Sequence, residues 1–355
     1  MVLEFDRYPA DMPPSSTSAR RRARRIAGIG AIVTVSLGVG LGTLAAAASL
    51  PLWFQYLPFA VSLLVLGLPH GAVDHLVLPR ARGEAVTVRA MLGVGLLYLL
   101  VGGAYAALWM VTPALAFVGF ILLTAAHWGQ GDVYALRSLF AASHLEHQSV
   151  RVLTLLLRGA LPMFVPLVAF PEQYALVATS IVSLFDPAGA VALEPVFSPT
   201  GRVVVGVGLG GLVVFTLGLG FVLGGENRDG WRVDALETLG LLGYFTVVPP
   251  ILAIGIYFCF WHALRHILRT MLVDPEASQA LEKDDDWQAW WAFARDAAPM
   301  TAGGLVVIGL VAIGVPRTPG GVEDALAVYL VAIAVLTLPH VVVVALLDRV
   351  EGIWR

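Results

Sequence analysis

The chain is poor in cysteine, and Cys259 is the only one among its 355 residues. A single thiol excludes an internal disulfide framework, and it excludes metal or cluster sites that need several cysteines. Any metal site must therefore rely mainly on histidine, of which the chain has eight.

Charge is also scarce. Only 13% of the residues are charged, 58% are hydrophobic and the mean hydropathy is +0.82, which excludes an ordinary soluble globular protein. The apolar runs approach the ~20 residues that a helix needs to cross a bilayer. They lack the alternating pattern of barrel strands. The chain also has no long basic stripe of the kind that would indicate nucleic acid as a partner. The sequence predicts an all-α, polytopic helical membrane protein with about ten transmembrane segments, eight to ten being compatible with the pattern.

Three segments are expected along the chain. Residues 1–25 are predicted to be a disordered, Arg-rich cytoplasmic tail, residues 26–348 a single transmembrane helical domain, and residues 349–355 a cytoplasmic tail. Five arginines between positions 20 and 25 precede an apolar run longer than a signal-peptide core. We therefore expect a retained first span in a multi-pass protein of the cell membrane, with both termini cytoplasmic.

Nearly all the spans follow from the apolar runs and the arginines that flank them. The predicted spans are Ile26–Leu50, Pro51–Leu68, Ala90–Val111, Ala114–Leu136, Val152–Phe170, Val203–Leu223, 235–248, 251–270, Ala298–Val315 and Ala325–Leu347.

Three regions are harder to interpret. Pro249-Pro250 divides residues 234–269 either into one kinked helix or into a hairpin, and the hairpin is favoured because it places Arg265 and Arg269 inside. Residues 171–201 are expected to hold a short external interfacial helix. The aromatic run within residues 273–298 is expected to be a separate amphipathic helix at the membrane interface.

The strongest chemical signal is the pair His262 and His266. Two histidines four residues apart point the same way from a helix, so both can reach one metal ion. The ten-span topology places His70, His127 and His340 at a similar depth in the membrane. Ionisable groups at such depth are costly, and they are candidates for an active site.

Neutral imidazoles suit iron, copper or zinc better than magnesium or calcium. His70, His127, His262 and His266 would supply four metal ligands. Asp74 would hold a ligand's other ring nitrogen if the helix continued past His70, and His340 is expected in the same supporting role. Asp132 is either a similar partner or a residue of the membrane surface. The residues expected to border a substrate channel are Trp128, Tyr257, Phe258 and Trp261.

The remaining histidines receive less specific interpretations. A lone buried histidine is more often a hydrogen-bonded structural residue than a ligand, and this applies to His75. His144 and His147 occupy a loop with Glu146 and are expected to face solvent.

Three segments resemble the signature segments of the Brp/Blh family of membrane β-carotene 15,15'-dioxygenases. They are Gly67-Leu68-Pro69-His70-Gly71-Ala72-Val73-Asp74-His75, Ala126-His127-Trp128-Gly129 and Trp261-His262-Ala263-Leu264-Arg265-His266. The segment Thr337-Leu338-Pro339-His340 is similar to that family as well. The Arg-rich amino-terminal extension departs from the pattern and has no evident catalytic part.

The resemblance implies cleavage of the central double bond of β-carotene by O2 at a non-haem Fe(II) held by His70, His127, His262 and His266. It also implies two molecules of retinal as products, with a microbial rhodopsin as their acceptor. A carotenoid has no group to hydrogen-bond, so it would enter from the lipid bilayer, and the shape of a tunnel would set its position.

Two other classes of protein are compatible with parts of the pattern. Another membrane oxygenase with histidine-bound iron could act on lipid or carotenoid, but a di-metal hydroxylase needs more HxxxH and HxxHH boxes than this chain has. An opsin-associated regulator or a transporter would use the histidines without catalysis, although no inverted repeat supports a transporter.

Overall fold

A computed structural model describes residues 16–48, 52–226 and 228–354, and every regular element in that part of the chain is helical. The α-helices are α1 (Thr17–Ala48), α2 (Leu52–Gln55), α3 (Leu57–Leu64), α4 (Asp74–Ala81), α5 (Val88–Leu97), α6 (Gly103–Val111), α7 (Pro113–Ser138), α8 (Gln148–Ala169), α9 (Pro171–Ser183), α10 (Glu194–Phe197), α11 (Pro199–Leu223), α12 (Asp229–Val247), α13 (Pro250–Tyr257), α14 (Leu264–Val273), α15 (Pro275–Glu282), α16 (Asp286–Gly314) and α17 (Val322–Glu351). Short 3₁₀ turns lie at Pro69–Gly71, Ser143–Glu146 and Gly189–Leu193. Two π-helical turns, Tyr98–Gly102 and Phe258–Ala263, join α5 to α6 and α13 to α14.

Nine helical segments in the described residues are long and apolar enough to cross a membrane. They are Thr17–Ala48, Trp53–Ala81, Val88–Val111, Pro113–Ser138, Gln148–Ala169, Pro199–Leu223, Pro250–Val273, Asp286–Gly314 and Val322–Glu351. Large apolar side chains on their outer faces are exposed, for example Val207 and Val214 on α11 at 71% and 74%. Such apolar surface suits contact with lipid rather than water. The predicted helical membrane fold is confirmed.

The region around Pro249-Pro250 forms the hairpin that the arginine distribution favours. α12 ends at Val247, and α13 begins at Pro250 and runs back beside it. The Tyr244 hydroxyl donates to the Ala253 carbonyl oxygen at 2.9 Å, and further along Arg265 donates to Glu237 at 2.5 Å. The first pairing lies close to the turn and the second further from it, and both can form only if the two helices run antiparallel. α12 is not among the nine segments, and its first half carries Asp229, Arg232, Asp234 and Glu237.

Small residues bring α1 against this hairpin. Its buried face repeats every three or four residues, with Gly30, Thr34, Gly38 and Gly42 among its members. A Cβ atom at Gly38 would overlap the ring of Tyr244, so glycine permits the close approach typical of membrane helices.

The described residues of both predicted tails pack against the rest of the protein. α1 already begins at Thr17, so the arginines at 20–25 are helical, and Arg22 pairs with Asp284 at 2.9 Å and with Asp286 at 2.5 Å. Residues 1–15 of the predicted tail lie outside the described residues. At the other end, the side chain of Ile353 is buried, and its carbonyl oxygen accepts a hydrogen bond from Arg151 at 2.7 Å. Residues 349–354 of the predicted cytoplasmic tail therefore include the end of α17 and a segment packed against the bundle.

The aromatic run after residue 273 is not a separate interfacial helix. Asp285 caps the amino end of α16, and the helix then continues from Asp286 through the tryptophans to Gly314. Trp287 and Trp291 are exposed on one face while Phe293 is buried on the other. The predicted amphipathic pattern is present, but it forms the first turns of the span itself.

The short interfacial helix expected within residues 171–201 is α9, and it packs against the other helices. Ala178, Ile181 and Val182 are fully or almost fully buried, where α9 contacts α7, α8 and α17. This helix therefore forms part of the interior wall.

Candidate metal centre

His70 lies where the second span breaks. The amide of Leu68 donates to the Ser62 carbonyl, and Pro69–Gly71 form a 3₁₀ turn instead of continuing α3. Gly67 is required there, because a Cβ atom would lie 2.6 Å from a ring carbon of Phe258. His70 Nδ1 donates to the Gly67 carbonyl oxygen, which leaves Nε2 unprotonated and available as a ligand.

His262 and His266 lie on the face of α13–α14 that meets His70. His262 belongs to the π-helical turn Phe258–Ala263, and His266 follows in α14. The centroids of their rings each lie 5.5 Å from that of His70. π-Helical turns inside α-helices often occur at functional sites, and here the turn orients the HxxxH motif.

His127 of α7 completes this side of the group. Its Nε2 lies 3.1 Å from Nε2 of His262, and the two rings are nearly perpendicular. Two nitrogens bound to one first-row metal at about 2.1 Å would lie about 3.0–3.4 Å apart. The observed separation is therefore compatible with two ligands of one ion.

His340 of α17 joins the same group. The centroid of its ring lies 4.8 Å from that of His127 and 5.0 Å from those of His70 and His266. Its Nδ1 donates to Asp74 at 2.8 Å, while its Nε2 is buried without a hydrogen-bond partner. We call His70, His127, His262, His266 and His340 the histidine cluster.

Asp74 supports His340 rather than His70. The helix does not continue through Gly71, and Asp74 instead begins α4, so the ring nitrogen that it holds belongs to His340. Oδ2 of Asp74 accepts from His340 and also from the Tyr98 hydroxyl at 2.6 Å. Tyr98 lies in the π-helical turn after α5, and the sequence alone did not identify it.

A second polar group, which we call the buried ion network, fixes the neighbouring helices. It consists of Asp132, His144, Arg158, Asp234, Glu237 and Arg265.

Arg265, which lies between His262 and His266 in the motif, connects three helices. It donates to Asp132 of α7 at 3.1 Å and to Glu237 of α12 at 2.5 Å, and its guanidinium stacks on Trp261 at 4.1 Å. Trp261 Nε1 also donates to Asp132, at 2.9 Å. These contacts fix the face of α14 that carries the histidines.

Two expectations about the network residues are corrected. Asp132 is 1% exposed and does not lie at a surface. His144 is also 1% exposed, and its Nε2 donates to Asp234 at 2.9 Å. Of the two histidines of that loop, only His147 is exposed as predicted.

Two apolar cavities meet at the histidine cluster, and His70, Ile333 and Thr337 line both. The first extends between α7, α9, α13 and α17. The second extends between α4, α5, α16 and α17.

The cavities include half of the residues expected to border a channel. Trp128 and Phe258 line the first cavity. Tyr257 and Trp261 line neither of the two, and they stack on each other in the packed core behind the cluster. The difference arises because neighbouring residues on one helix face opposite sides.

The arrangement is chemically suited to a transition metal beside an apolar ligand. Its donors are imidazole nitrogens, and Asp74 is occupied in supporting one of them, the usual arrangement beyond a metal's direct ligands. The thiol of Cys259 contacts the Pro58 carbonyl instead.

Comparisons with known proteins agree with this chemistry. The family model for beta-carotene 15,15'-dioxygenase matches residues 61–348. The probable beta-carotene 15,15'-dioxygenase Blh of Halobacterium salinarum is 41% identical over 343 residues, which cover 96% of this chain and 99% of that protein. The probable beta-carotene 15,15'-dioxygenase Brp of the same organism is 30% identical over 91% of this chain and 90% of its own length. A beta-carotene 15,15'-dioxygenase from an uncultured marine bacterium is 26% identical over 58% of this chain and 66% of its own length. No solved structure matches the chain.

Proposed function

The chain belongs to the beta-carotene 15,15'-dioxygenase family, and we propose that it cleaves the central 15,15' double bond of β-carotene with O2 to give two molecules of all-trans-retinal. The observation that carries the proposal is the position of the histidine cluster at the junction of two apolar cavities. A long hydrocarbon bound in both would place a bond near its middle beside the imidazoles. In the reaction the double bond is replaced by two carbonyl groups.

His70, His127, His262 and His266 would hold a non-haem Fe(II), which supplies the activation of O2 when bound. The cluster fits such an ion because the free Nε2 of His70 and the 3.1 Å separation of the His127 and His262 nitrogens suit shared ligation. His340 stands beside them with Asp74 behind it and offers a further nitrogen. The relatives' names specify no metal, so iron is part of the proposal.

The protein's own residues position the substrate and exclude water. Phe117, Phe120 and Phe258 line the first cavity, and Leu92 and Val307 line the second. Such walls bind a hydrocarbon by burying its surface, and their shape holds the reacting bond in place. No general acid or base is assigned, because oxidative cleavage of a carbon–carbon double bond needs no proton transfer from the protein.

The substrate and the products are membrane-soluble, which fits a multi-pass protein of the cell membrane. The arginines at 20–25 favour a cytoplasmic amino terminus by the positive-inside rule. Glu351 near the carboxyl terminus pairs with Arg269, at the same end of the bundle as Arg20, so both described termini would be cytoplasmic. A microbial rhodopsin is the proposed acceptor of the retinal.

Expression in a β-carotene-producing bacterium tests the activity. We expect loss of the yellow colour, formation of retinal and about one iron per purified chain. His262→Ala should abolish both retinal and stoichiometric iron, whereas His147→Ala, which changes an exposed histidine of the same loop as His144, should retain both. Retinal formed by the His262→Ala variant would contradict the iron site. Good membrane expression without bleaching would favour a non-catalytic, opsin-associated regulator or a transporter.

A further inference from the structure

The two cavities differ at the ends that lie away from the histidine cluster. Every residue that lines the first cavity is buried or half-buried, so we call it the closed cavity. The second, which we call the open cavity, includes side chains that are largely exposed on α5 and α16. These are Val88 at 71%, Leu92 at 68% and Met300 at 49%. The open cavity therefore has the more exposed lining of the two, and its exposed side chains form a mouth toward the surroundings of the bundle.

On the basis of the proposed function, we propose that the carotenoid enters from the bilayer between α5 and α16, and that α9 is the stop that selects the bond to be cleaved. One end of the molecule passes His70, Ile333 and Thr337 into the closed cavity and rests against α9. The other end remains in the open cavity.

The route follows from how the two cavities are connected. The exposed residues at the mouth are apolar, as a molecule arriving from lipid requires, and α5 has no buried residue. The closed cavity shares its neck residues with the open one, so a ligand that enters through the mouth reaches the closed cavity by passing the histidines. A hydrocarbon threaded in this way has its middle at the neck.

The stop follows from the residues beyond the neck. The closed cavity extends along α7 from His127 to Phe117, about 15 Å at the rise of an α-helix. At its far end lie Tyr174, Val177, Ala178 and Ile181 of α9. Because β-carotene is symmetrical about its central bond, one fixed distance from α9 to the histidines selects that bond, wherever the second end lies.

Val177 is the residue at which this distance can be changed. Val177, Ile181 and Leu326 line both the closed cavity and a small cavity beyond it. They therefore form the partition between the two. A larger side chain at 177 would shorten the closed cavity, and a smaller one would extend it into the space beyond.

The test compares products of full-length variants in β-carotene-producing cells. Val177→Phe should move cleavage to a neighbouring double bond and give unequal fragments, one shorter and one longer than retinal. Val177→Ala should also give unequal fragments, because the chain can slide further in. Val191→Phe, the same change at an exposed valine of the turn Gly189–Leu193 that lines neither of these cavities, should yield retinal only. Retinal as the sole product of both Val177 variants would overturn the stop.

The mouth is tested by a matched pair on α5. Leu92 lines the open cavity, whereas Leu96 is similarly exposed at 55% but does not line it. Leu92→Trp should slow retinal formation at least several-fold without changing the cleaved bond, and Leu96→Trp should leave the rate unchanged. Equal rates of retinal formation in the two variants would contradict entry between α5 and α16. A wild-type protein that forms no carbonyl product would instead contradict the proposed function, so the two failures are distinguishable.

Discussion

Nε2 of His127 and Nε2 of His262 lie 3.1 Å apart inside the bundle, on helices that are far apart in the sequence. Two unprotonated nitrogens repel each other at that distance, so the contact needs either a shared proton or a cation between their lone pairs. The surrounding rings of His70, His266 and His340 contribute further nitrogens to the same space, which favours the cation.

The contact leads to a prediction about the metal. His127→Ala and His262→Ala should each lower bound iron and retinal formation by more than the ~10–100-fold typical of a supporting residue, because each removes a ligand. Metal analysis of purified protein and retinal quantification measure the two effects. His147→Ala is the control. Full iron occupancy in either of the two variants would show that the pair is joined by a proton only.

The support of His340 by Asp74 gives a graded prediction. Asp74→Asn keeps the shape of the side chain but removes the negative charge behind His340, and it should weaken iron retention or activity by about 10–100-fold. Tyr98→Phe removes one hydrogen bond to the same carboxylate and should have a smaller effect. Dialysis against a chelator, followed by metal analysis, ranks the two variants by the amount of iron that each retains. A larger loss in Tyr98→Phe than in Asp74→Asn would contradict the proposed hierarchy.

The buried ion network should matter for stability more than for binding. Arg158 is fully buried and faces Asp132, Asp234 and Glu237. Arg158→Met would leave these carboxylates without one of their main cations, at a cost of about 3–5 kcal/mol. Thermal unfolding in detergent should show a clearly lower Tm.

A matched arginine serves as the control for this prediction. Arg232 pairs with Asp229 on the same helix as Asp234, but the two side chains are 67% and 82% exposed. Arg232→Met should leave the Tm nearly unchanged, since exposed ion pairs contribute little. An equal loss of Tm in the two variants would mean that burial does not determine how much the network contributes to stability.

Much of the fold could be predicted because membrane depth is encoded along the chain. Apolar length and the positions of arginine gave most of the spans and favoured the hairpin at Pro249-Pro250, which the structure contains. The same reasoning placed His70, His127, His262, His266 and His340 at one depth, and their side chains converge.

The sequence was less informative about how each helix is rotated about its axis and about which side chains approach from other helices. Asp132 and His144 each lie near the end of a span, where a polar residue ordinarily meets water, and only the approach of Arg265 and Asp234 from other helices explains their burial. The break at Pro69–Gly71 places Asp74 at the start of α4, where it accepts from His340. Tyr257 and Phe258 are adjacent in sequence, yet only Phe258 faces a cavity.

The close approach of α7 and α8 supports the position of His127. A Cβ atom at Gly159 would overlap the Ala125 carbonyl oxygen, and one at Gly129 would overlap that of Leu155. Gly159→Ala should therefore push α7 away from α8 and displace His127, with a lower Tm and reduced iron binding. Gly210→Ala on α11, where nothing lies within 4 Å of the added carbon, should leave both unchanged. Because the clash is with backbone atoms, no side-chain rearrangement can relieve it. Wild-type iron content in Gly159→Ala would mean that the helices can separate without moving His127.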